Sequence, residues 1–449
     1  MTDSNSTPMA SALDEAESND ASGNASIDAV ETTCPKLTIQ IGCFFEGTSF
    51  NGRNTNLRDR GLRGAQTGRS WDSEAANTYK LFTAYPSGTE KADCGSVVGR
   101  RVSRFYIGGV GTRDEQSDVL DRDGLDIGSP ANGIEDEGVR DKLDEAHEAL
   151  DLRIDEAKFT HARADWENVE EIIVDVFGWS RGAATARVFA NEVLERYKIQ
   201  QGLPLRIRAI GLFDTVFSIG LDPWGRDFDE EDAGGEETAG FNRNIHLKDG
   251  DFEHAFQLQA RDEYRDHFPL RRIDPGQGIG VWMPGDHQDV GGGSSHDTGF
   301  KVLSSNISSN GLSGDELTEL RARGFPIERR MGEMRDLPGS RPGPRQLQTI
   351  EQGFDWKPGL DNVALHAMHQ FFQDKLGNDF LDIEALTSNK KDAVPDDLTD
   401  LPATLAGGSS VSEGRMRTVR ADGYVSTRST SIGMGADENF VREEAPNQP

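Results

Sequence analysis

Three residue types that together can activate a hydroxyl for attack on an ester occur here in the order serine, aspartate, histidine. The serine is Ser180, within Gly178-Trp179-Ser180-Arg181-Gly182. A serine hydroxyl is a weak nucleophile and needs a base within hydrogen-bond reach. Gly-x-Ser-x-Gly alone is weak evidence in a chain with 50 glycines. Its setting strengthens it, because an apolar run precedes the motif and a helical pattern follows at once, as a nucleophile elbow requires. In the order serine, acid, histidine the base is one of His246, His254, His267, His287, His296, His366 and His369. His287 fits best: it follows a short apolar run, and Gly285 and Gly291 to Gly293 make its surroundings a flexible loop. His254 and His267 lie in a charged, helix-like stretch from Glu253 to His267 and read as surface groups. The favoured acid is Asp214, which closes an apolar run, with Asp222, Asp274 and Asp289 as rivals. A tetrahedral intermediate also needs two donors for its oxyanion. The N–H of Arg181 is one, and the loop Glu46-Gly47-Thr48 offers the other. The Arg181 guanidinium also suits a phosphate.

Two other readings compete. His287, Asp289, His296 and Asp297 are the right types for a divalent metal and a phosphoesterase, but that reading leaves the serine motif without a purpose. The other is a non-catalytic interaction module on a hydrolase-like fold.

The elements that position these groups alternate between strands and helices. Strand patterns cover 36–45, 101–107, 171–177, 205–213 and 279–283, and each ends in a small or polar loop. Helical stripes fall at Val139, Leu143, Ala146, Leu150 and Ile154, and at Ala186, Phe189, Ala190, Val193, Leu194 and Tyr197. Such alternation predicts an α/β fold with a mostly parallel sheet flanked by helices and a site at its carboxyl edge. Residues 1–35 are acidic and poor in large apolar side chains, and are expected to be a disordered tail. The catalytic domain is placed at 36–300, a helical extension at 301–390, and a polar, poorly ordered region at 391–449. Within the extension, helices are expected over 317–323 and 362–375, and a Pro/Gly/Arg loop over 339–346.

Composition narrows the class. Lys plus Arg number 48 against 78 Asp plus Glu, a net charge of −30 that repels phosphate backbones and argues against nucleic acid as a partner. The 3 cysteines, Cys34, Cys43 and Cys94, are read as free thiols. No stretch approaches the roughly 18 apolar residues of a membrane span, and no secretory signal pattern begins the chain. The expectation is a protein cytoplasmic in its producing cell that leaves, if at all, by a dedicated machine. No metal or organic cofactor is expected.

Five segments then acquire meaning together. They are Phe44 to Thr48, Tyr106 to Thr112, Gly178 to Ala183, Gly211 to Val216 and Trp282 to Gly293. In the same order they resemble motifs of the first family of type VI secretion lipase effectors. The resemblance implies an α/β-hydrolase phospholipase that cleaves acyl esters of membrane phospholipids and acts as an antibacterial toxin injected into a target cell. It also implies an immunity protein and a secretion-spike or adaptor protein as partners. By matching motif, Ser180 is the nucleophile, His287 the base and Asp214 the acid. Glu46 departs from the aspartate usual in that family's loop, and the sequence after Gly293 does not continue in the family's manner. Leu221, Pro223 and Trp224 are the apolar groups that would meet a bilayer, set against an ordinary turn with a packed tryptophan.

Overall fold

Leu-Thr-Ile-Gln-Ile-Gly-Cys-Phe-Phe carries no charge and is buried on both faces, as a strand inside a parallel sheet must be. It forms β1 (Leu37–Phe45) in a computed structural model. The structure describes residues 36–426 apart from 92–97, 120–137, 161–168, 218–244, 249, 266–267, 275, 295–297, 306–312, 337–345, 378–379, 382–385 and 387–389. The expected N-terminal tail therefore lies outside the described residues, as does the segment holding Leu221, Asp222, Pro223 and Trp224.

After β1 come β2 (Gly88–Lys91), β3 (Val98–Ile107), β4 (Val169–Trp179), β5 (Leu205–Phe213), β6 (Phe252–Ala260) and β7 (Ile279–Met283). They form a 7-stranded sheet in the order β2-β3-β1-β4-β5-β6-β7. Every pairing is parallel except that of the edge strand β2 with β3. The expected α/β fold with a mostly parallel sheet is thus the one observed. The register also aligns the strand exits: Phe45 pairs with Gly178, Trp179 with Phe213, Phe213 with Leu258, and Ala260 with Met283. Whatever follows each of the six parallel strands emerges on one edge.

Alternate side chains divide the core between the two faces. Ile39, Ile41, Cys43 and Phe45 join α4 (Val139–Thr160) and α5 (Arg181–Val193) in one apolar cluster. Phe44, Phe177, Phe213 and Phe256 join α3 (Asn77–Ala84) and the long helix Leu360–Leu376 in the other. Two short helices, α1 (Gly52–Asp59) and α2 (Arg69–Asp72), follow β1.

Three expectations are corrected. The stretch from Glu253 is not helical: Phe252–Ala260 is a strand, and its Gln257 and Gln259 are buried. Polar residues at core positions hid the alternation. The region 301–390 is not simply a helical extension, because β8 (Gly299–Ser305), β9 (Glu328–Asp336) and β10 (Gln346–Trp356) form a second, antiparallel sheet. Its strand β9 is mostly charged, and β8 and β10 mix polar with apolar residues, so the apolar signal is weak. The expected helices are present as α7 (Gly314–Ala322) and α8 (Leu360–Leu376), and most of the expected 339–346 loop lies outside the described residues. Nor is 391–449 poorly ordered as far as Ser426. There α9 (Leu401–Ala406) and α10 (Glu413–Ala421) bury Leu401, Leu405, Met416 and Val419 in the same apolar cluster as α8. Each helix contributes only one or two apolar contacts per turn, too few to register as a periodic pattern.

Candidate active site

β4 ends at Trp179 and α5 begins at Arg181, so Ser180 alone turns the chain. Its φ of 60° and ψ of −133° are costly for a residue with a Cβ. The neighbours hold it there: the Ser180 N–H donates to the Phe213 carbonyl at 3.1 Å, and the Val216 N–H donates to the Ser180 carbonyl at 3.2 Å. A methyl group on Gly182 would lie 2.2 Å from the Glu46 carbonyl oxygen. Glycine at 182 therefore lets the first turn of α5 meet the end of β1, which sets the Glu46 loop beside the elbow.

Asp214 is the first residue beyond β5 and also has a positive φ, 39°. Its N–H donates to the Leu258 carbonyl at 2.8 Å, and its Oδ1 accepts the Ala260 N–H at 2.9 Å. Its Oδ2 lies 2.7 Å from His287 Nδ1. That contact fixes the tautomer with the proton on Nδ1 and leaves Nε2 as the acceptor.

His287 sits on α6 (His287–Gly291), a short helix, and not on the flexible loop expected from its glycines. Asp286 caps this helix and Asp289 reciprocates in a capping box. The imidazole packs between Trp179 and Phe268, with ring centroids 5.3 Å and 4.9 Å away. Burial lowers its pKa below the ordinary 6.5, against the opposite pull of Asp214. Burial thus favours the neutral imidazole. His287 Nε2 is buried and makes no hydrogen bond among the described residues, Ser180 included. Ser180 is 4% exposed and His287 3%, so the pair sits just beneath the surface.

In the loop after β1, Glu46 braces the backbone. Its carboxylate accepts the Gly47 N–H at 3.0 Å, the Tyr106 hydroxyl at 2.9 Å and the Thr78 hydroxyl, while burial pushes its pKa up. The Glu46 N–H is also committed, to the Ile107 carbonyl. Gly47 lies flat on the Trp179 ring, where an added Cβ would approach within 2.4 Å. Of the three loop residues, Thr48 keeps open donors: its buried hydroxyl has no partner, and its N–H makes no hydrogen bond among the described residues.

Arg181 is half-buried and pairs with no acid among the described residues; burial alone lowers its pKa to about 10. It stands at the positive end of α5, where a cation is opposed by the helix dipole. Two costs without an internal offset favour an anionic visitor.

The other candidates are dispersed. His246 faces Asp274 at 2.9 Å beside Arg271, His366 lies 2.9 Å from the Asp392 carbonyl, His369 is buried in α8, and His254 is on β6. Asp289 accepts the N–H groups of Asp286 and Ser426 and so is not the partner of His287. With His287 Nδ1 turned to Asp214, those two residues do not converge as a metal pair. His267, His296 and Asp297 lie outside the described residues. The polar groups that steady the site, Glu263, Asp262, Asp286 and Trp179, escaped sequence reasoning. Only Asp286-x-x-Asp289 left a local trace, as a capping pattern.

A family model described as the type VI secretion phospholipase effector Tle1-like catalytic domain matches residues 193–310. The match includes Asp214 and His287 and begins after Ser180. The resemblance to that family is borne out over this stretch, which holds two of the five motifs, Gly211 to Val216 and Trp282 to Gly293. No curated protein matches the sequence. Among solved structures, the Tle1 effector bound to the VgrG spike of the type 6 secretion system is similar, with a TM-score of 0.56 and 20% identity over 90% of this chain and 88% of that one. This likeness shows a shared fold. An uncharacterized protein from Pseudomonas aeruginosa aligns with a TM-score of 0.43 and 18% identity over 86% of this chain, which spans 53% of that one. Among the described residues no helix is long and apolar enough to cross a membrane.

Proposed function

We propose that this chain is a serine-dependent phospholipase, a type VI secretion effector that hydrolyses acyl esters of membrane phospholipids in a rival bacterium. The observation that carries this reading is the buried Asp214–His287 contact of 2.7 Å beside the strained Ser180 turn. In the proposed reaction His287 Nε2 takes the Ser180 proton as Oγ attacks the acyl carbonyl, and Asp214 stabilises the imidazolium that results. The backbone N–H of Arg181 and the donors of Thr48 receive the oxyanion, with Glu46 and Gly47 holding the loop in place. His287 then passes its proton to the departing lysophospholipid oxygen. Water, activated in turn by His287, releases the fatty acid from Ser180. The Arg181 guanidinium, which pairs with no acid among the described residues, supports a phosphate-bearing lipid over a neutral ester.

Delivery on a spike protein is part of the proposal, supported by the solved relative bound to VgrG. An immunity protein that protects the producer completes it. The test is fatty-acid release from phosphatidylethanolamine vesicles by the wild type and Ser180→Ala, each with and without a chelator. Loss of at least about 10³-fold in Ser180→Ala, with no effect of chelator, is expected. Release by Ser180→Ala equal to wild type rejects the reading, and loss on chelation alone points to a metal-dependent hydrolysis of the acyl ester.

A further inference from the structure

The turn that carries His287 is gripped from the far end of the chain. Ser426, 3% exposed, donates its N–H to Asp289 Oδ2 at 2.7 Å and its hydroxyl to Asp286 Oδ2 at 2.7 Å. The same hydroxyl oxygen accepts Lys301 Nζ at 2.7 Å. Asp286 and Asp289 are the two members of the capping box that starts α6 at His287. One residue therefore bridges both carboxylates on either side of the base.

A second tie lies just upstream. Asp262 Oδ2 accepts the Gly285 N–H at 2.9 Å, and the Asp262 N–H donates to the Gly285 carbonyl at 2.8 Å. Asp262 is in turn paired with Arg420 of α10, Nε to Oδ1 at 2.9 Å, with both side chains almost fully buried. Ahead of both ties the C-terminal segment lies along the edge strand β7: the Trp282 N–H donates to Ser410 Oγ, and the Val411 N–H donates to the Trp282 carbonyl, each at 2.9 Å.

Ordinary packing over an edge strand needs only the last of these contacts. The Ser426 and Arg420 contacts go instead to buried carboxylates that fix the backbone immediately before and after His287. Two buried carboxylates so close repel one another, and burial with the Asp286 charge pushes Asp289 well above its ordinary pKa. Donors from Ser426 and Lys301 offset that repulsion. Without them the cap loosens, and His287 loses the geometry that sets Nδ1 on Asp214.

We infer that residues 410–426 are a working part of the active site, in which Ser426 and Arg420 are positioning residues that hold His287 through Asp286, Asp289 and Asp262. The inference rests on the reading of Ser180, Asp214 and His287 as the catalytic set.

The test uses the full chain and a soluble p-nitrophenyl ester, with folded fraction measured by circular dichroism. Ser426→Ala is expected to lower kcat about tenfold while KM stays within about twofold. The acid limb of its kcat profile should move up toward 6.5 as the imidazole, flanked by Asp214, Glu263 and Arg265, gains access to water. Ser426→Thr, which keeps the hydroxyl, should restore most of kcat, and Arg420→Lys should give a loss of a few-fold with KM unchanged. Arg415→Ala is the control, since Arg415 ties the same helix to Asp400 without touching the turn. Its kcat should stay near wild type. Wild-type kcat and acid limb in Ser426→Ala, or a loss matched by Arg415→Ala or by the unfolded fraction, overturns the inference while Ser180→Ala is still inactive. Full activity in Ser180→Ala overturns the serine reading instead. Should Ser426→Ala fail to fold, Arg420→Lys carries the same test, and unchanged kcat in it overturns the inference.

Discussion

The serine and the histidine of the site are held by opposite means. Ser180 is fixed by backbone and small residues: β4 before it, α5 after it, and Gly182 against the Glu46 carbonyl. Its backbone partners are the Phe213 carbonyl of β5 and the N–H groups of Ala183, Ala184 and Val216. His287 stands on a helix of 5 residues that could not persist alone, and polar side chains from distant segments hold it. Glu263 accepts its N–H at 3.2 Å, while Asp214 and Ser426 approach from either side of the turn. The proposed nucleophile bears its strain at the edge of the sheet, whereas the proposed base is suspended in a network of polar and charged side chains. The first arrangement tolerates little steric change, and the second little change of charge.

Four predictions sharpen this contrast. Asp214→Asn keeps the shape of the base side but removes the charge that fixes the Nδ1 proton, so kcat for ester hydrolysis should fall about 10⁴-fold. Near-wild-type kcat in that variant would show that another acid serves His287. On the nucleophile side, Gly182→Ala drives a methyl group into backbone at 2.2 Å. It should lower unfolding free energy by about 2 kcal/mol or more in urea titration, with loss of fluorophosphonate labelling of Ser180. Intact labelling at wild-type stability would mean that β1 and α5 yield easily.

Arg181→Met should spare the fold yet lower the ratio of kcat/KM on phosphatidylethanolamine to that on diacylglycerol, both in the same mixed micelles. About 2 kcal/mol for a charge-assisted contact corresponds to about thirtyfold. An unchanged ratio would remove Arg181 from phosphate recognition.

The smallest effect concerns pH. Because burial lowers the His287 pKa, the acid limb of kcat/KM should have its midpoint below 6.5. The same shift links to stability. The unfolded chain takes up a proton near 6.5 and the folded one only at lower pH, so this contribution is whole above 6.5 and is lost as pH falls. An acid limb above 6.5 would show that the imidazole is more hydrated than its packing between Trp179 and Phe268 implies.

Much of this was legible from residues alone. The apolar runs at 205–213 and 279–283 coincide with β5 and β7, and the elbow at Ser180 was visible because its strand, turn and helix are contiguous. Asp214 was favoured by its place at a strand exit, and the structure puts it against His287. What escaped notice were elements defined by distant partners. The strand at 252–260 hides a buried glutamine, Gln257, that is satisfied by Thr215 and by the backbone at Arg271 and Ile273. The second sheet displays charge along its strands, and the C-terminal helices are short.

The sequence by itself determined the sharp strand-to-helix turn at Ser180, because an apolar run, small residues and a helical stripe follow one another directly in the chain. It also determined the parallel sheet, since uncharged runs must be buried on both faces. Only the tertiary structure decided how the histidine is presented. Burial favours its neutral form, while its helix and fixed proton depend on polar groups of Asp214, Glu263, Arg420 and Ser426, which lie far apart along the chain and meet only in the folded protein. Electrostatic contacts of that kind depend on distance in space, which spacing in sequence does not encode.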